Sequence, residues 1–255
     1  MRVRNFTSIA VSFAAVAATG IASAQDYSVP ADAPAYIRSV VESDARPEAD
    51  RARDAARKPA EVLMLSGIEP GDTVIEIAGF GQYYTRMLTE IVGEQGTVAM
   101  YDLPYTGAPR GGNPTASPAF VAQNQNAEYH LGAYNKAVFP SGVDVAFNIL
   151  YYHDLGLQDV DRAAMNRRIF DALKPGGVYL IIDHKAEDGS GWRDTQSLHR
   201  MGVEVIVEEL TAAGFELAVD SDLLANPDDP RDAMVFAPGT RGATDRALYV
   251  FIKPD

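Results

Sequence analysis

The sequence carries two histidine–aspartate pairs, His153–Asp154 in "YYHD" and Asp183–His184 in "DHK", each just after an apolar run. Histidine is the side chain whose ordinary pKa, about 6.5, suits proton transfer near neutrality. A neighbouring carboxylate can orient the ring, so each pair is a candidate general base. His153, Asp154, Asp183 and His184 are equally nitrogen and oxygen donors of the kind that bind a divalent metal, and residue type alone leaves both chemistries open. His199 follows in "KAEDGSGWRDTQSLHR". The same segment holds Trp192, the single tryptophan, which can serve as a core anchor or a substrate contact, and Arg193, whose guanidinium suits an anionic substrate group. His130, inside the weak strand pattern "AEYHL", is expected to be structural.

A second set of residues points to a ligand with a ribose. The stretch "VIEIAGFGQYYTRML" reads as a buried strand, a turn and a helix, with Glu76, Ala78, Gly79 and Gly81 around the turn. An acid closing the next strand, Asp102, is placed to accept ribose hydroxyls. Turns of this type usually hold glycines where the backbone approaches a ligand or takes positive φ. Here three such positions hold Ala78, Phe80 and Gln82. The reading is a weakened or reshaped ligand loop, in which Gly79 and Gly81 could restore flexibility through a shifted turn of different geometry.

The elements that must position these residues alternate. Strands are expected over 73–78, 97–101, 127–131, 143–150, 178–182, 216–219 and 248–252, and helices over about 83–92, 159–173 and 198–213. A further helix, "AEVLMLSGI", ends near Gly67, and residues 103–118 read as a long Pro- and Gly-rich loop. Residues 46–58, dense in Arg and Asp, read mostly as a solvated helix face. Arg241 and Arg246 in "FAPGTRGATDR" are expected to pair with nearby aspartates. Alternating strands and helices imply an α/β fold whose mainly parallel sheet is covered on both faces. The final strand follows a loop instead of a helix, so it can enter antiparallel. In open α/β sheets ligands bind beyond the carboxyl ends of the strands, where these candidate residues fall.

The chain has 255 residues, 47% hydrophobic, and a net charge of −13 with no cysteine. An acidic surface disfavours nucleic acid and anionic lipid as partners, and the lack of cysteine excludes disulfides and thiolate chemistry. Residues 1–24 have the form of a signal peptide: Arg2 and Arg4, an apolar stretch from Phe6 to Gly20, and "ASA" before Gln25. The expected organisation is a cleaved signal at 1–24, a lead-in with helix at 25–58 and one domain at 59–255. Such a protein would be periplasmic or secreted, with no membrane anchor after cleavage.

From "RPEADRARDAARKPAEVL" to "YVFIKP" the chain resembles class I S-adenosylmethionine-dependent methyltransferases, more narrowly the exported bacterial group called predicted methyltransferases. The pieces that carry the likeness are "RKPAEVL", "VIEIAGFGQYYTRML", "YYHD", "ALKPGGVYLIIDH", "GSGWRDTQSLHR" and "RGATDR". The resemblance implies a Rossmann-like sheet of seven strands with the last antiparallel, and S-adenosylmethionine as cofactor. It assigns Glu76, Ala78, Gly79 and Gly81 to the cofactor loop, Asp102 to the ribose, and His153 and Asp154 to the transfer site. Three functions remain open on these residues. One is methyl transfer to a small molecule with His153 or His184 as base, Arg193, Trp192 and His199 lying on the substrate side. The others are a non-catalytic binding protein with an altered loop, and a metal-dependent protein using the His/Asp rim.

Overall fold

A computed structural model describes residues 27–103, 116–158 and 160–255. The proposed signal peptide and most of the Pro- and Gly-rich loop lie outside the described residues. Four short helices come first: α1 (Ala35–Val41), α2 (Glu48–Arg51), α3 (Asp54–Arg57) and α4 (Pro59–Ser66). The alternating part runs β1 (Thr73–Ile77), α5 (Tyr83–Val92), β2 (Thr97–Asp102), α6 (Ala116–Val121), β3 (Ala127–Leu131) and β4 (Val143–Ile149). It continues with α7 (Arg162–Ala172), β5 (Leu173–His184), α8 (Thr195–Leu198), α9 (Glu204–Ala212), β6 (Glu216–Ser221) and β7 (Arg246–Ile252).

The seven strands form one sheet in the order β3-β2-β1-β4-β5-β7-β6. β1 to β5 pair in parallel, and β7 runs antiparallel to both β5 and β6. This is the mixed sheet expected from the alternation. Strand order reverses at β1, so a crevice opens over the carboxyl ends of β1 and β4.

The strands read as nearly continuous apolar runs because both faces are covered. Side chains alternate between faces with period two. Ile75, Ala146 and Ile181 join a core with Met165 and Ile169 of α7 and Ile206 and Leu210 of α9. Val74, Val145, Leu180 and Ile182 join a second core with Ile37 and Val40 of α1, Leu63 of α4 and Met87 and Leu88 of α5. The N-terminal helices therefore roof one face of the sheet.

Some boundaries differ from expectation. Lys174, Pro175 and the two glycines do not stop the chain in a turn: β5 begins at Leu173, and Gly176 takes a φ of 74° inside it. β4 stops at Ile149 because Leu150 turns left-handed at φ 57°. Residues 46–58 are not a solvated face. Arg46 and Asp54 are buried in a two-pronged ion pair of 2.6 and 2.7 Å, and the Tyr83 hydroxyl donates to the same Asp54 at 2.5 Å. Charge density alone did not show that the acids and bases neutralise one another against α5.

Candidate active site

β1 hands the chain to a tight loop. Ala78, at φ 61°, donates its N–H to the Tyr101 carbonyl of β2 at 2.8 Å, one turn of 3-10 helix covers Gly79–Gly81, and Gln82 follows at φ 46°. The left-handed residues are thus Ala78 and Gln82, whereas Gly79 and Gly81 have no positive φ. The expectation of a shifted turn is corrected: two positions where glycine is usual keep a glycine-like backbone while carrying side chains. Local bonds hold Gln82 there, since its amide donates to Ser117 Oγ at 3.0 Å and its carbonyl accepts from Arg86 at 3.0 Å. Gly79 is needed for closeness, because a Cβ there would lie 3.0 Å from Glu76 Oε2 and 3.1 Å from Met100 Cγ. A Cβ on Gly81 would meet nothing within 4 Å, so backbone is bare on that side. The side chain of Phe80 lies outside the described residues.

Two buried acids flank this loop. The Thr85 hydroxyl donates to Glu76 Oε2 at 2.5 Å. Burial pushes the Glu76 carboxyl up to about 7, with the charge of Asp102 adding to it and the Thr85 bond opposing. Asp102 is buried at the end of β2.

The histidines meet beyond β4 and β5, paired otherwise than their sequence neighbours suggest. The parallel register sets Ile149 beside Ile182, so Asp183 faces the turn after β4. Its fully buried carboxylate accepts His153 Nδ1 at 2.6 Å and the backbone N–H groups of His153 and His184 at 2.7 Å each. On the other side His153 Nε2 lies 3.5 Å from Asp154 Oδ1, and His199 Nδ1 lies 3.1 Å from that same oxygen. Burial opposes a charge on His153, but the two carboxylates and the Asp183 bond outweigh it and raise its pKa. His184 is the reverse case. Burial, with the charges of His153, Arg246, Arg200 and Arg57 adding to it, holds it well below the usual range. Its Nδ1 meets the Thr244 hydroxyl at 2.8 Å, and no described residue bonds its Nε2. The two rings are 5.8 Å apart, one favoured charged and the other neutral. Titratable neighbours pushed apart in this way divide into an acid and a base.

A cation could sit here, in a set that differs from the four residues expected. Ligand atoms of His153, Asp154 and His199 lie within 4.8 Å of one another. Asp183 is already spent on His153 and the backbone, where it orients the ring as a carboxylate behind a metal-binding histidine does.

The segment 185–200 divides. His199 joins the cluster, held at φ 52° at the end of α8. Trp192 packs on Tyr152 at 6.2 Å and beneath Arg162 at 4.1 Å, against a site at Gly156 where a Cβ would lie 2.3 Å from its ring. Those contacts are anchoring contacts between α7 and the turn after β4. Arg193 is exposed and pairs with Glu187 at 2.9 Å and Asp194 at 2.8 Å. Arg200, which sequence reasoning passed over, is fully buried and grips Asp229 at 2.7 and 3.1 Å, clamping the loop before β7 onto the rim. His130 stacks on Tyr101 at 4.5 Å, a structural contact.

Strand order, the antiparallel β7 and the loop at the end of β1 decide the fold. It is the class I methyltransferase fold. An S-adenosylmethionine-dependent methyltransferase from Mesorhizobium loti superposes with a TM-score of 0.55, covering 78% of this chain and 99% of its own at 15% identity. A SAM-dependent methyltransferase from Aquifex aeolicus gives 0.53 over 75% of this chain and 88% of its own, at 19% identity. The cyclase SpnF gives 0.54 over 84% of this chain and 85% of its own, at 16% identity, so the fold by itself does not name the reaction. In sequence, the ubiquinone/menaquinone biosynthesis C-methyltransferase UbiE of Teredinibacter turnerae is 28% identical over 145 residues, 55% of this chain and 54% of its own length. The chain thus spans about half the length of the curated relative it matches. No family model matches the sequence. Among the described residues no helix is long and apolar enough to cross a membrane.

Proposed function

We propose that the protein is an S-adenosylmethionine-dependent methyltransferase acting on a small molecule, and that it is exported. The observation that carries the reading is the loop after β1. Its left-handed Ala78 and Gln82, at positions where such loops usually hold glycine, and its flanking acids Glu76 and Asp102 support the reading. Ala78, Gly79 and Gly81 would hold the amino-acid end of the cofactor and Asp102 its ribose. When bound, the cofactor supplies an electrophilic methyl group.

The chain's own part is to orient the acceptor and take its proton. His184 is placed to act as the base, since no described residue bonds its Nε2. The Thr244 hydroxyl can accept from Nδ1–H, the tautomer that leaves a lone pair on Nε2. His153, held between Asp183 and Asp154, which raise its pKa, fixes the floor of the site next to an acceptor oxygen or nitrogen. Export is supported by the basic start, the apolar stretch and the small residues before Gln25.

A second reading is a divalent metal held by His153, Asp154 and His199, supported by the closeness of their ligand atoms. One set of measurements tests both. Calorimetry should show S-adenosylmethionine and its demethylated product binding the mature protein, and Asp102→Ala should weaken both by about tenfold or more. No binding at millimolar ligand would sink the methyl-transfer reading. Metal analysis of protein purified without a histidine tag decides the second, which requires near-stoichiometric metal that His199→Ala removes.

A further inference from the structure

Two arginines at the ends of sequence motifs have no role in the scheme so far: Arg57, which begins "RKPAEVL", and Arg246, which ends "RGATDR". They lie 189 residues apart, yet the fold ties them together. Arg246 opens β7 directly opposite His184 of β5, so both side chains leave the sheet on the face roofed by the N-terminal helices. There Arg246 Nη2 donates to the Ala56 carbonyl at 2.6 Å, next to Arg57. The Arg57 guanidinium lies over the Tyr83 ring, 4.5 Å from its centre.

Most neighbouring cations have a carboxylate, although Lys58 bonds only the Leu223 carbonyl. Arg46 has Asp54, Arg53 and Arg86 share Asp50, Arg200 has Asp229, and Lys185 and Arg231 share Asp245. The Arg57 side chain makes no hydrogen bond or ion pair with any described residue, and the Arg246 guanidinium bonds only the carbonyls of Ala56 and Thr244 among the described residues. The expected ion pair of Arg246 with an aspartate is therefore corrected. A buried and a half-buried guanidinium without a hydrogen-bonded carboxylate are out of character in a chain with 35 acidic and 22 basic residues. Burial without a counter-ion is costly for a charge, and both groups are held below their usual range chiefly by it.

Other unspent groups face the same place. The Tyr84 hydroxyl, within electrostatic reach of both arginines, makes no hydrogen bond with a described residue, and neither does His184 Nε2. None of these atoms is among the buried polar atoms shut away from solvent without a partner. The juxtaposition is two cations, a hydroxyl and an imidazole on the sheet face roofed by the N-terminal helices, beside the expected base.

We propose that Arg57 and Arg246, with Tyr84, bind the carboxylate of a small organic acid and thereby hold it as the methyl acceptor next to His184. One face of Arg57 is taken by Tyr83, and its edge presents the parallel N–H pair that matches a planar carboxylate. The acceptor role rests on the methyl-transfer reading; the anion site does not. Arg246 and His184 lie on β7 and β5, whereas Tyr83 and Tyr84 open α5 next to the β1 loop, so the anion site borders the cofactor loop and the acceptor side.

The test is calorimetric titration of the full mature chain with benzoate at low salt. Wild type should bind in roughly the millimolar range. Arg57→Gln and Arg246→Gln should each weaken binding by about tenfold or more, while Arg241→Gln, an exposed arginine of the same loop, should leave it unchanged. Arg57→Gln breaks no side-chain hydrogen bond among the described residues, so it keeps the test decisive if Arg246→Gln fails to fold. Benzoate should bind alongside saturating S-adenosylhomocysteine. Mutual exclusion would give the arginines to the cofactor's own carboxylate and overturn the assignment, as would tighter binding of inorganic phosphate than of benzoate. Binding of benzoate that ignores both arginines would end the proposal. Arginine-dependent benzoate binding without any S-adenosylhomocysteine binding would keep the anion site and end the methyl-transfer reading.

Discussion

Glu76 shows how far one buried side chain can govern behaviour. Its carboxyl is pushed from an ordinary 4.5 to about 7 by burial, so the folded protein holds a proton that the unfolded chain releases earlier. A group whose folded pKa is raised contributes stability that is whole below the unfolded pKa and lost as pH rises through the folded one. The window is therefore about 4.5 to 7, and the loss across it is on the order of 2 to 3 kcal/mol. Denaturant midpoints at about pH 5 and about pH 8 should show the wild type losing stability relative to Glu76→Gln by this order; parallel behaviour of the two would refute the assignment. Which residues would gather at the rim was legible from the sequence, because strand ends locate it. Their pairing was not. Adjacency suggested Asp183 for His184, but consecutive strand residues point to opposite faces, and the neighbouring strand delivers His153 to Asp183 instead.

At the scale of elements, the loop from β1 to α5 stores strain at Ala78 and Gln82. A non-glycine residue in the left-handed region costs roughly 1 to 2 kcal/mol, partly offset by the smaller entropy it had to lose. Ala78→Gly should therefore leave thermal stability level or raise it by up to about 1 kcal/mol, and Ala78→Val should lower it by about 2 kcal/mol. Gly81→Ala, facing open space, should stay within about 0.5 kcal/mol of wild type. A stabilised Ala78→Val would show that the loop does not hold this backbone. The strands were readable because their apolar runs follow from burial on both faces. α2 and α3 were not, since each is four residues long and is fixed by Arg46, Asp54 and Tyr83 through contacts distant in sequence.

At the scale of the whole molecule, two cores on opposite faces of one sheet leave the N-terminal helices no independence. α1 and α4 contribute Ile37, Val40 and Leu63 to the core that also contains Leu180 and Leu248. The lead-in and the expected domain thus share packing, a relation that local sequence patterns do not reveal. Export belongs to this scale too. Intact mass of the protein recovered from outside the inner membrane should match a chain beginning at Gln25, and recovery only of a form starting at Met1 would contradict the proposal. The insertion of β7 between β5 and β6 has a consequence in time. Of the strands in the sheet it leaves the ribosome last, and until it arrives its two neighbours have open edges and the cluster opposite His184 lacks Arg246. A chain broken off before residue 246 has no complete place for an acid to bind, so occupancy of that place would mark a molecule whose synthesis reached its final strand.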